Sequence, residues 1–191
     1  MDLFPLANGD GQSIRALRGT VTREEAIDVF AGGVTGRARR VALGPLRSVA
    51  DVYVPFRLFR VAIEKGSRIE RAVLGLDAVG GALDLYHFDR EPEPEDVTVV
   101  HTRNHVEAFL TDGALQDLAA SRVKRMVYRR TGFLVAGRVR IDISPIGGDL
   151  HVPYWAGFFG RGQTARIVVL DAVRRQIEGA KVQRLIRNHL D

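Results

Sequence analysis

The chain has 191 residues, of which 46% are hydrophobic and 27% charged, and this composition is ordinary for a globular protein with a core of its own. It contains no cysteine, which excludes disulfides and thiolate chemistry. The formal net charge of +5 favours acidic partners, nucleic acid among them, although the 23 acidic residues are interspersed with the basic ones. No uncharged apolar run approaches the roughly 18 residues that a membrane helix needs, and no signal pattern is evident, so we expect a cytoplasmic protein without a membrane segment.

The first half of the chain predicts one helix followed by four strands. Thr22-Arg23-Glu24-Glu25 is a capping box that begins a short helix, and Gly32-Gly33 ends it. Strand-like runs follow at residues 39–43, 52–63, 69–76 and 82–88, with a hairpin turn at residues 64–67.

Residues 90–96, with the sequence REPEPED, separate the two halves. Prolines and acidic side chains alternate here, so the segment can neither pair as a strand nor be buried. It is therefore predicted to be a solvated connector.

The second half repeats the order of the first. Residues 115–130 carry apolar side chains at helical spacing, and Gly132 ends the predicted helix. Strands are predicted at residues 138–143, 150–159 and 165–170, with a hairpin turn at residues 160–163. The spacing of apolar residues in the tail, residues 182–190, predicts a terminal helix in place of a plain fourth strand.

Three short phrases occur twice in the same order and with similar gaps. They are GRAR at Gly36 and GRVR at Gly137, DVYVPF at Asp51 and DLHVPY at Asp149, and LDAV at Leu76 and Leu170. Three matches in register predict an internal duplication. We therefore expect an α+β fold of two pseudo-symmetric repeats, residues 1–89 and 97–191, joined by the connector at residues 90–96. Each repeat is a helix followed by an antiparallel meander of about four strands that wraps around it, and the second repeat has the additional C-terminal helix.

A proline interrupts the long strand of each repeat. Pro55 and Pro153 have no amide donor, so each is expected on an edge strand or at a bulge that bends the strand over its helix. The neighbouring residues are mostly apolar at successive positions, which is typical of a strand covered on both faces. We expect the two repeats to cover each other, giving a pseudo-two-fold chain that is the covalent equivalent of an isologous dimer.

The order of a helix followed by a meander resembles the cystatin-like fold. The phrase of strand, Leu-Asp-Ala, turn and strand, at residues 76–85 and 170–177, resembles the strand–turn–strand of PepSY-type domains. The Val-Pro-Tyr-Trp run at residues 152–155 is similar to uncharacterised bacterial proteins that pair such a strand with a Leu-Asp-Ala turn. PepSY-type domains usually place Thr-Gly after Asp-Ala, whereas this chain has Val79-Gly80 and Val173-Arg174. The resemblance implies a binding or inhibitory module without a catalytic residue set to carry over.

Two groups of residues in the repeated phrases are candidates for a site. Tyr154, Trp155 and Phe158 form the densest aromatic cluster, which could line an apolar ligand pocket or a partner interface. We favour the simpler interpretation that they are the core between the repeats. Asp77 and Asp171 occupy equivalent positions and could be paired carboxylates across a pseudo-two-fold axis. We favour instead that each accepts backbone amides of the turn that follows it.

Basic residues gather on two predicted helices. Arg122, Arg125 and Arg129 share one flank of the second helix, and Arg184 and Arg187 lie in the tail. Together they could form a phosphate-binding surface. The alternative is a solvated helix flank, supported by the attraction of cations to a helix C-terminus.

His101 and His105 lie four residues apart, with Glu107 close by. If residues 102–110 were helical, the two imidazoles would share a face and could bind a metal ion together with the carboxylate. We favour an exposed polar stretch, because no further ligand is evident, and we expect neither a metal nor another cofactor.

The sequence contains no GxSxG element and no convincing Ser-His-Asp set, so no residue is predicted to be catalytic. The leading hypothesis is a non-enzymatic module that binds a protein partner or a small apolar ligand. The first alternative is a basic nucleic-acid-associated protein. The second is an enzyme with a pocket between the repeats.

Overall fold

A computed structural model describes residues 11–131, 139–161 and 165–190. Within these residues the fold is α+β, with four α-helices and one mixed sheet of eight strands. The elements in chain order are β1 (Gln12–Leu17), α1 (Arg23–Ala31), α2 (Gly33–Leu43), β2 (Leu46–Lys65), β3 (Arg68–Asp77), β4 (Tyr86–Phe88), a 3₁₀ turn (Pro94–Asp96), β5 (Val97–Thr102), α3 (Asp112–Thr131), β6 (Val139–Phe159), β7 (Arg166–Asp171), β8 (Gln176–Ile177) and α4 (Ala180–Leu190). None of these helices is long and apolar enough to cross a bilayer.

The strands follow the order β4-β3-β2-β6-β1-β5, and β7 also pairs with β6 and carries β8 on its other side. The pairs β1–β5, β2–β3, β3–β4, β6–β7 and β7–β8 are antiparallel. β1 meets β6 in parallel orientation, at Ala16 and His151. The sheet is therefore mixed, with these antiparallel pairs and a parallel contact between β1 and β6.

Contacts divide the chain into two compact units, each assembled from separated segments. The first unit comprises Met1–Val54, Pro94–Val106 and His151–Asp191, and the second comprises Pro55–Glu93 and Glu107–Leu150. These units interleave the two halves of the sequence. The division into two repeats at residues 1–89 and 97–191 follows the repeated phrases of the sequence, and it remains a prediction.

In the first unit, α1 covers β6 and β7. The side chain of Thr22 accepts the amide of Glu25 while the Glu25 carboxylate accepts the amide of Thr22, as the capping box predicts. Phe30 meets the ring of Phe159 edge-on, with the ring centroids 6.2 Å apart. Gly157 leaves space for this ring, because a Cβ at residue 157 would lie 2.9 Å from Phe30. The buried cluster around this contact consists of Val21, Ala26, Phe30, Phe159, Val168, Leu170 and Ala172.

In the second unit, α3 covers β2 and β3. The helix contributes four buried residues at a spacing of four, which places them on one face. The buried cluster consists of Phe59, Val61, Leu74, Leu76 and Ala78 from the strands and Leu115, Ala119, Val123 and Val127 from the helix. The helix predicted for residues 115–130 is thus confirmed, and it begins slightly earlier, at Asp112.

The expectation that each helix packs on the strands that follow it is met only in part. The fully buried partners of α1 come from β6 and β7, and Leu46 and Val49 of β2 pack beside them. The fully buried partners of α3 come from β2 and β3, and three residues of β6 pack beside them, Val139, Ile141 and Ile143. An apolar stripe shows that a helix has a covered face. It does not show which of two similar strand pairs covers that face, so the order of elements along the chain does not determine the packing partner.

Several element boundaries also differ from the predictions. Residues 39–43 are the end of α2 and not a strand, and the run at residues 82–88 contributes only β4. The two runs predicted around residues 143 and 150 form the single strand β6, while the terminal helix is confirmed as α4. β1 and β5 are additional strands that the sequence did not predict. Residues 132 and 138 and part of the turn at residues 160–163 lie outside the described residues.

Pro153 lies inside β6, which has neighbours on both sides, and not on an edge strand. His151 pairs with Ala16 of β1, whereas pairing with β7 begins at Tyr154. The carbonyl of Pro153 still accepts the amide of Ala172, at 3.1 Å. The amide that Pro153 lacks would face the carbonyl of Ala172. This carbonyl instead accepts the amides of Thr20 and Val21, so the proline leaves no acceptor unpaired there.

Pro55 occupies a similar position in β2, which is also an interior strand of the sheet. Tyr53 exchanges backbone hydrogen bonds with residues 104–106, and pairing with β3 begins at Phe56. The carbonyl of Pro55 accepts the amide of Ala78, at 2.9 Å. The carbonyl of Ala78, which the missing amide of Pro55 would face, accepts the amides of Phe109 and Leu110 instead. This replacement of the donor explains why proline is tolerated in an interior strand, where an edge position or a bulge was expected.

Replacement of Phe30 by alanine tests the packing of α1 on β6 and β7. We expect Phe30→Ala to lower the free energy of unfolding by about 3–5 kcal/mol, because it removes a fully buried ring. Urea denaturation followed by circular dichroism measures the change. The matched control Val41→Ala removes apolar atoms from a side chain that is 90% exposed and should change stability by less than about 0.5 kcal/mol. Equal effects of the two variants would contradict the packing.

Candidate functional site

The predicted aromatic cluster divides between two faces of β6. Tyr154 is buried and Phe158 half-buried on one face, because alternate residues of a strand share a face. Trp155 projects from the opposite face, packs beside the buried cluster under α1, and donates its indole N–H to the carbonyl of Val21 at 2.9 Å. Any ligand or partner role for the three side chains would therefore divide between these faces.

Asp77 is buried and caps the turn that follows β3. Its Oδ1 accepts the amides of Gly80 at 2.9 Å and Gly81 at 2.8 Å, and its Oδ2 accepts the amide of Leu83 at 2.8 Å. Three charge-assisted hydrogen bonds offset the cost of burying the carboxylate. The favoured interpretation of Asp77 as a turn-capping residue is confirmed.

Asp171 caps the turn after β7 in a similar way but with fewer bonds. Its Oδ1 accepts the amides of Val173 and Arg174, each at 2.8 Å. Its Oδ2 is buried and has no hydrogen-bond partner among the described residues. The turn-capping interpretation is confirmed here too, but one carboxylate oxygen contributes nothing to the turn.

The basic residues of α3 do not act as one group. The guanidinium of Arg122 donates to the carbonyls of Gly81 and Leu83, so this side chain stabilises the turn that Asp77 caps. Arg125 and Arg129 are exposed. Arg122 thus has a structural role, and it is a poor candidate for binding phosphate.

The basic residues of α4 lie on the exposed side of that helix. Val182 and Ile186 are buried against the sheet, and Arg184 and Arg187 are exposed. This is the ordinary arrangement of an amphipathic surface helix. The phosphate-binding role of Arg184 and Arg187 remains a prediction.

Arg57 forms an ion network that the sequence did not predict. Its guanidinium contacts Asp112 at 2.6 Å and Asp149 at 2.9 Å, and its side chain is 13% exposed. Burial opposes the charge, but the hydrogen bonds and charges of Asp149 and Asp112 outweigh it and raise the pKa of Arg57. The network ties the first residue of α3 to β2 and β6, which is a structural role.

His101 and His105 do not share a helix. His101 lies in β5, with Nδ1 3.4 Å from the hydroxyl of Ser13, and His105 follows the strand and forms a parallel bridge with Tyr53. No group of three or more His, Asp or Glu side chains in the described part of the chain is arranged to hold a metal ion.

A polar cluster surrounds Tyr53 in the first unit. Asp51 accepts the side-chain amide of Asn104 at 3.0 Å and also the hydroxyl of Tyr53. Burial raises the pKa of Tyr53, and the charge of Asp51 raises it further. The rings of His105 and His151 meet edge-on, with centroids 6.3 Å apart. The cluster anchors the segment after β5 to β2. The sequence signal for this cluster is the repeated spacing Asp-x-Tyr at residues 51–53 and Asp-x-His at residues 149–151, since alternate residues of a strand share a face.

Helix α2 is held closely along one side. A Cβ on Gly36 would overlap the backbone of Ala31, so a glycine is needed where α2 crosses the end of α1. Arg39 donates to the carbonyl of Val29 at 2.5 Å. At the other end, Arg166 donates to the carbonyl of Ala42 at 3.1 Å. Gly36 is the one buried residue of α2, so it is these backbone and arginine contacts that fix the position of the helix.

The opposite side of α2 carries an apolar stripe. Val34, Ala38 and Val41 follow the spacing i, i+4, i+7 and are exposed, with Val34 81% and Val41 90% accessible. Arg37 lies beside them and is exposed as well. We call these four residues the outward face of α2. A surface helix ordinarily turns its apolar stripe inward, and α2 does the reverse.

Comparison of the chain with models of protein families, with curated proteins and with solved structures found no match. The candidate site therefore rests on geometry, and the outward face of α2 is the surface that the described residues support best.

Replacement of the two turn aspartates by asparagine separates their contributions. In Asp77→Asn the new amide N–H faces the N–H of Leu83, so we expect a loss of about 1–3 kcal/mol in the free energy of unfolding. Asp171→Asn should cost clearly less, because the replaced oxygen has no partner among the described residues. Denaturant unfolding measures both. Equal losses would show that Oδ2 of Asp171 accepts a hydrogen bond.

The raised pKa of Tyr53 predicts sensitivity to alkaline pH. Above about pH 10 the unfolded chain loses the phenolic proton while the folded chain keeps it, so stability falls as pH rises towards the folded pKa. We expect Tyr53→Phe to lose less stability than the parent between about pH 9 and pH 11. Thermal unfolding of the parent and of Tyr53→Phe at about pH 9 and pH 11 measures the loss of stability. The control is Tyr128→Phe, which removes an exposed phenol. Identical losses in Tyr53→Phe and the parent would contradict it.

Proposed function

We propose that this chain is a non-enzymatic binding module that engages an acidic, amphipathic segment of a protein partner through the outward face of α2. The observation that carries the proposal is the apolar stripe on the solvent side of a firmly held helix. The proposal keeps the class of function that the sequence and its resemblance to PepSY-type domains imply. It places the site on α2, away from the aromatic residues of β6.

The exposed valines are the first support. Val34 and Val41 are the two most exposed large hydrophobic side chains among the described residues. Single exposed apolar residues are common, but two on one stripe of one helix form a continuous surface. Covering such a stripe with a partner helix would bury apolar area at about 25 cal/mol per Å². Helices that dock on one another use this i, i+4, i+7 spacing.

The charge beside the stripe indicates the chemistry of the partner. α2 has the sequence GVTGRARRVAL, which contains three arginines and no acidic residue. Arg37 is exposed next to the stripe, Arg40 is exposed behind Arg37 on the same flank of the helix, and Arg39 is tied to Val29. Charged residues at the rim of an interface speed association and exclude partners of like charge. A partner segment with carboxylates beside its apolar side chains fits both features.

A protein partner fits better than a membrane or a nucleic acid. Helices that lie in a membrane interface present bulky Trp, Phe or Leu, and the outward face of α2 presents valine and alanine. A nucleic-acid surface needs basic groups at its centre to contact phosphates. Here the centre is apolar and Arg37 lies at its side. The remaining elements of the hypothesis, a cytoplasmic location and possible contact with nucleic acid through Arg125, Arg129, Arg184 and Arg187, are kept as secondary predictions.

We also propose that the chain arose by internal duplication. Phe56 pairs with Asp77 and Tyr154 pairs with Asp171, so the two long strands begin pairing with their return strands at matching positions of the repeated phrases. The proline before each aromatic residue accepts the amide of the alanine after each aspartate. This local agreement supports a duplicated strand–turn–strand. The pseudo-two-fold arrangement of complete repeats is part of the same proposal.

The binding proposal is tested with a synthetic acidic peptide that has leucines at helical spacing and glutamates at the other positions. A basic peptide, with lysine in place of each glutamate, is the matched probe. We expect the acidic peptide to bind more tightly, and Val34→Ser/Val41→Ser to weaken it about tenfold. Arg37→Glu/Arg40→Glu should reverse the preference between the peptides. Fluorescence anisotropy measures the affinities.

Ile69→Ser is the control variant, because Ile69 is also an exposed aliphatic side chain but lies on β3. It should leave the affinity for the acidic peptide unchanged. A loss in Ile69→Ser equal to that in the valine variant would overturn the proposal. A second result would also overturn the proposal: the chain binds oligothymidylate or anionic vesicles but not the acidic peptide, and the α2 substitutions abolish that binding. The partner would then be a nucleic acid or a membrane and not a protein.

A further inference from the structure

A second surface in the first unit is independent of α2. β5 stands last in the strand order, with β1 as its neighbour. Successive residues of a strand direct their backbone groups to opposite sides. The carbonyl of Asp96 accepts the amide of Arg18 at 2.7 Å, so the even-numbered residues of β5 bond towards β1. Val97, Val99 and His101 therefore direct their N–H and C=O groups away from β1.

These outward backbone groups form a free edge in the described part of the chain. No backbone hydrogen bond joins Val97, Val99 or His101 to another described residue. At six residues, β5 is longer than the other strands that end the sheet, β4 with three and β8 with two. An unpaired edge of this length is a template for another strand.

The sequence of β5 lacks the residues that protect edges. VTVVHT contains no Lys, Arg, Asp, Glu or Pro, and Val99 is 70% exposed. By contrast, the end of β3 that extends beyond β4 carries Arg68, Glu70 and Arg71. Charges on an edge oppose pairing with a second strand. β5 has the opposite character, which is typical of an edge that is used for pairing.

We propose that β5 pairs with β5 of a second copy of this chain, antiparallel and about a two-fold axis at Val99. The outward groups of both strands must face each other, so odd-numbered residues pair with odd-numbered residues. Val99 then pairs with Val99 of the second copy, and Val97 pairs with His101. Pairs of β-branched side chains at such positions stabilise a sheet.

Charge complementarity selects a second copy as the occupant. In this arrangement Glu95, in the 3₁₀ turn that precedes β5, lies at the same end of the strand pair as Arg103 of the second copy, in the bend that follows β5, and the axis repeats this proximity. Both residues are exposed. A parallel arrangement would set Glu95 beside Glu95 and Arg103 beside Arg103, and like charges directly opposite are unfavourable. The edge is therefore complementary to itself in one orientation, as an isologous interface requires.

Because the natural chain has no cysteine, a single cysteine reports on the axis directly. A hydrogen-bonded antiparallel pair has its Cα atoms about 5.5 Å apart, within the range of a disulfide. We expect Val99→Cys to form a covalent dimer under mild oxidation. Val41→Cys, on a valine of α2 that is 90% exposed and thus more accessible than Val99, is the control and should stay largely monomeric. Equal cross-linking of both variants would show random collision and overturn the proposal.

Sedimentation equilibrium of the unmodified full chain and of charge variants provides the second measurement. We expect a reversible dimer, a dissociation constant about tenfold higher in Arg103→Glu, and recovery in Glu95→Arg/Arg103→Glu. Recovery in the double variant excludes a general loss of structure. A chain that stays monomeric at all concentrations, or a double variant that does not recover, would overturn the proposal. A dimer that Val99→Pro leaves intact would do the same, because that substitution removes an outward amide of β5.

Discussion

The close approach of Gly36 to the backbone of Ala31 decides where α2 lies, and the candidate site depends on it. Any side chain at residue 36 would overlap that backbone, so the helix can cross the end of α1 at this distance only with a glycine on its inner side. Leu43 then packs near the buried cluster of the first unit. The opposite side of the helix, with Val34 and Val41, is left in solvent.

The two proposed surfaces of the first unit follow the same physical logic. On α2 and on β5 the exposed side chains at the centre are valines, and the charges lie at the sides or ends. A surface built only for solubility carries charge at the centre, as the end of β3 does with Arg68, Glu70 and Arg71. Apolar groups on a helix face favour docking of a helix, and unpaired amides on an edge favour a strand. As proposed, the two surfaces would therefore bind different partners without competing for one site.

Much of the local structure could be predicted, because it is encoded locally. The stripe from Leu115 to Val127 predicts α3, and Asp before a turn predicts the caps at Asp77 and Asp171. The pairing partners could not be predicted, since an apolar stripe does not specify which strands cover it. α1 and α3 consequently pack on strands distant in sequence. β1 and β5 were not predicted, although the β-branched run VTVVHT of β5 favours a strand.

The candidate site was the least predictable feature. Val34, Ala38 and Val41 form a helical stripe, and such a stripe ordinarily predicts the buried side. In α2 the stripe faces solvent instead, because Gly36 on the inner side contacts the backbone of Ala31 and no apolar side chain is needed there. The likeness of GRAR at residues 36–39 to GRVR at residues 137–140 also favoured a strand where α2 continues, and the last two residues of the second phrase do begin β6. Similar tetrapeptides can adopt different structures when their tertiary contacts differ.

Both binding on α2 and its specificity require that α2 is a preformed helix held from one side, so that its outward face exists before any partner binds. Amide hydrogen exchange of the free chain measures this. We expect the amides of residues 37–43 to exchange far more slowly than those of an unstructured chain. Exchange of these amides at the unstructured rate, with α1 still protected, would contradict it.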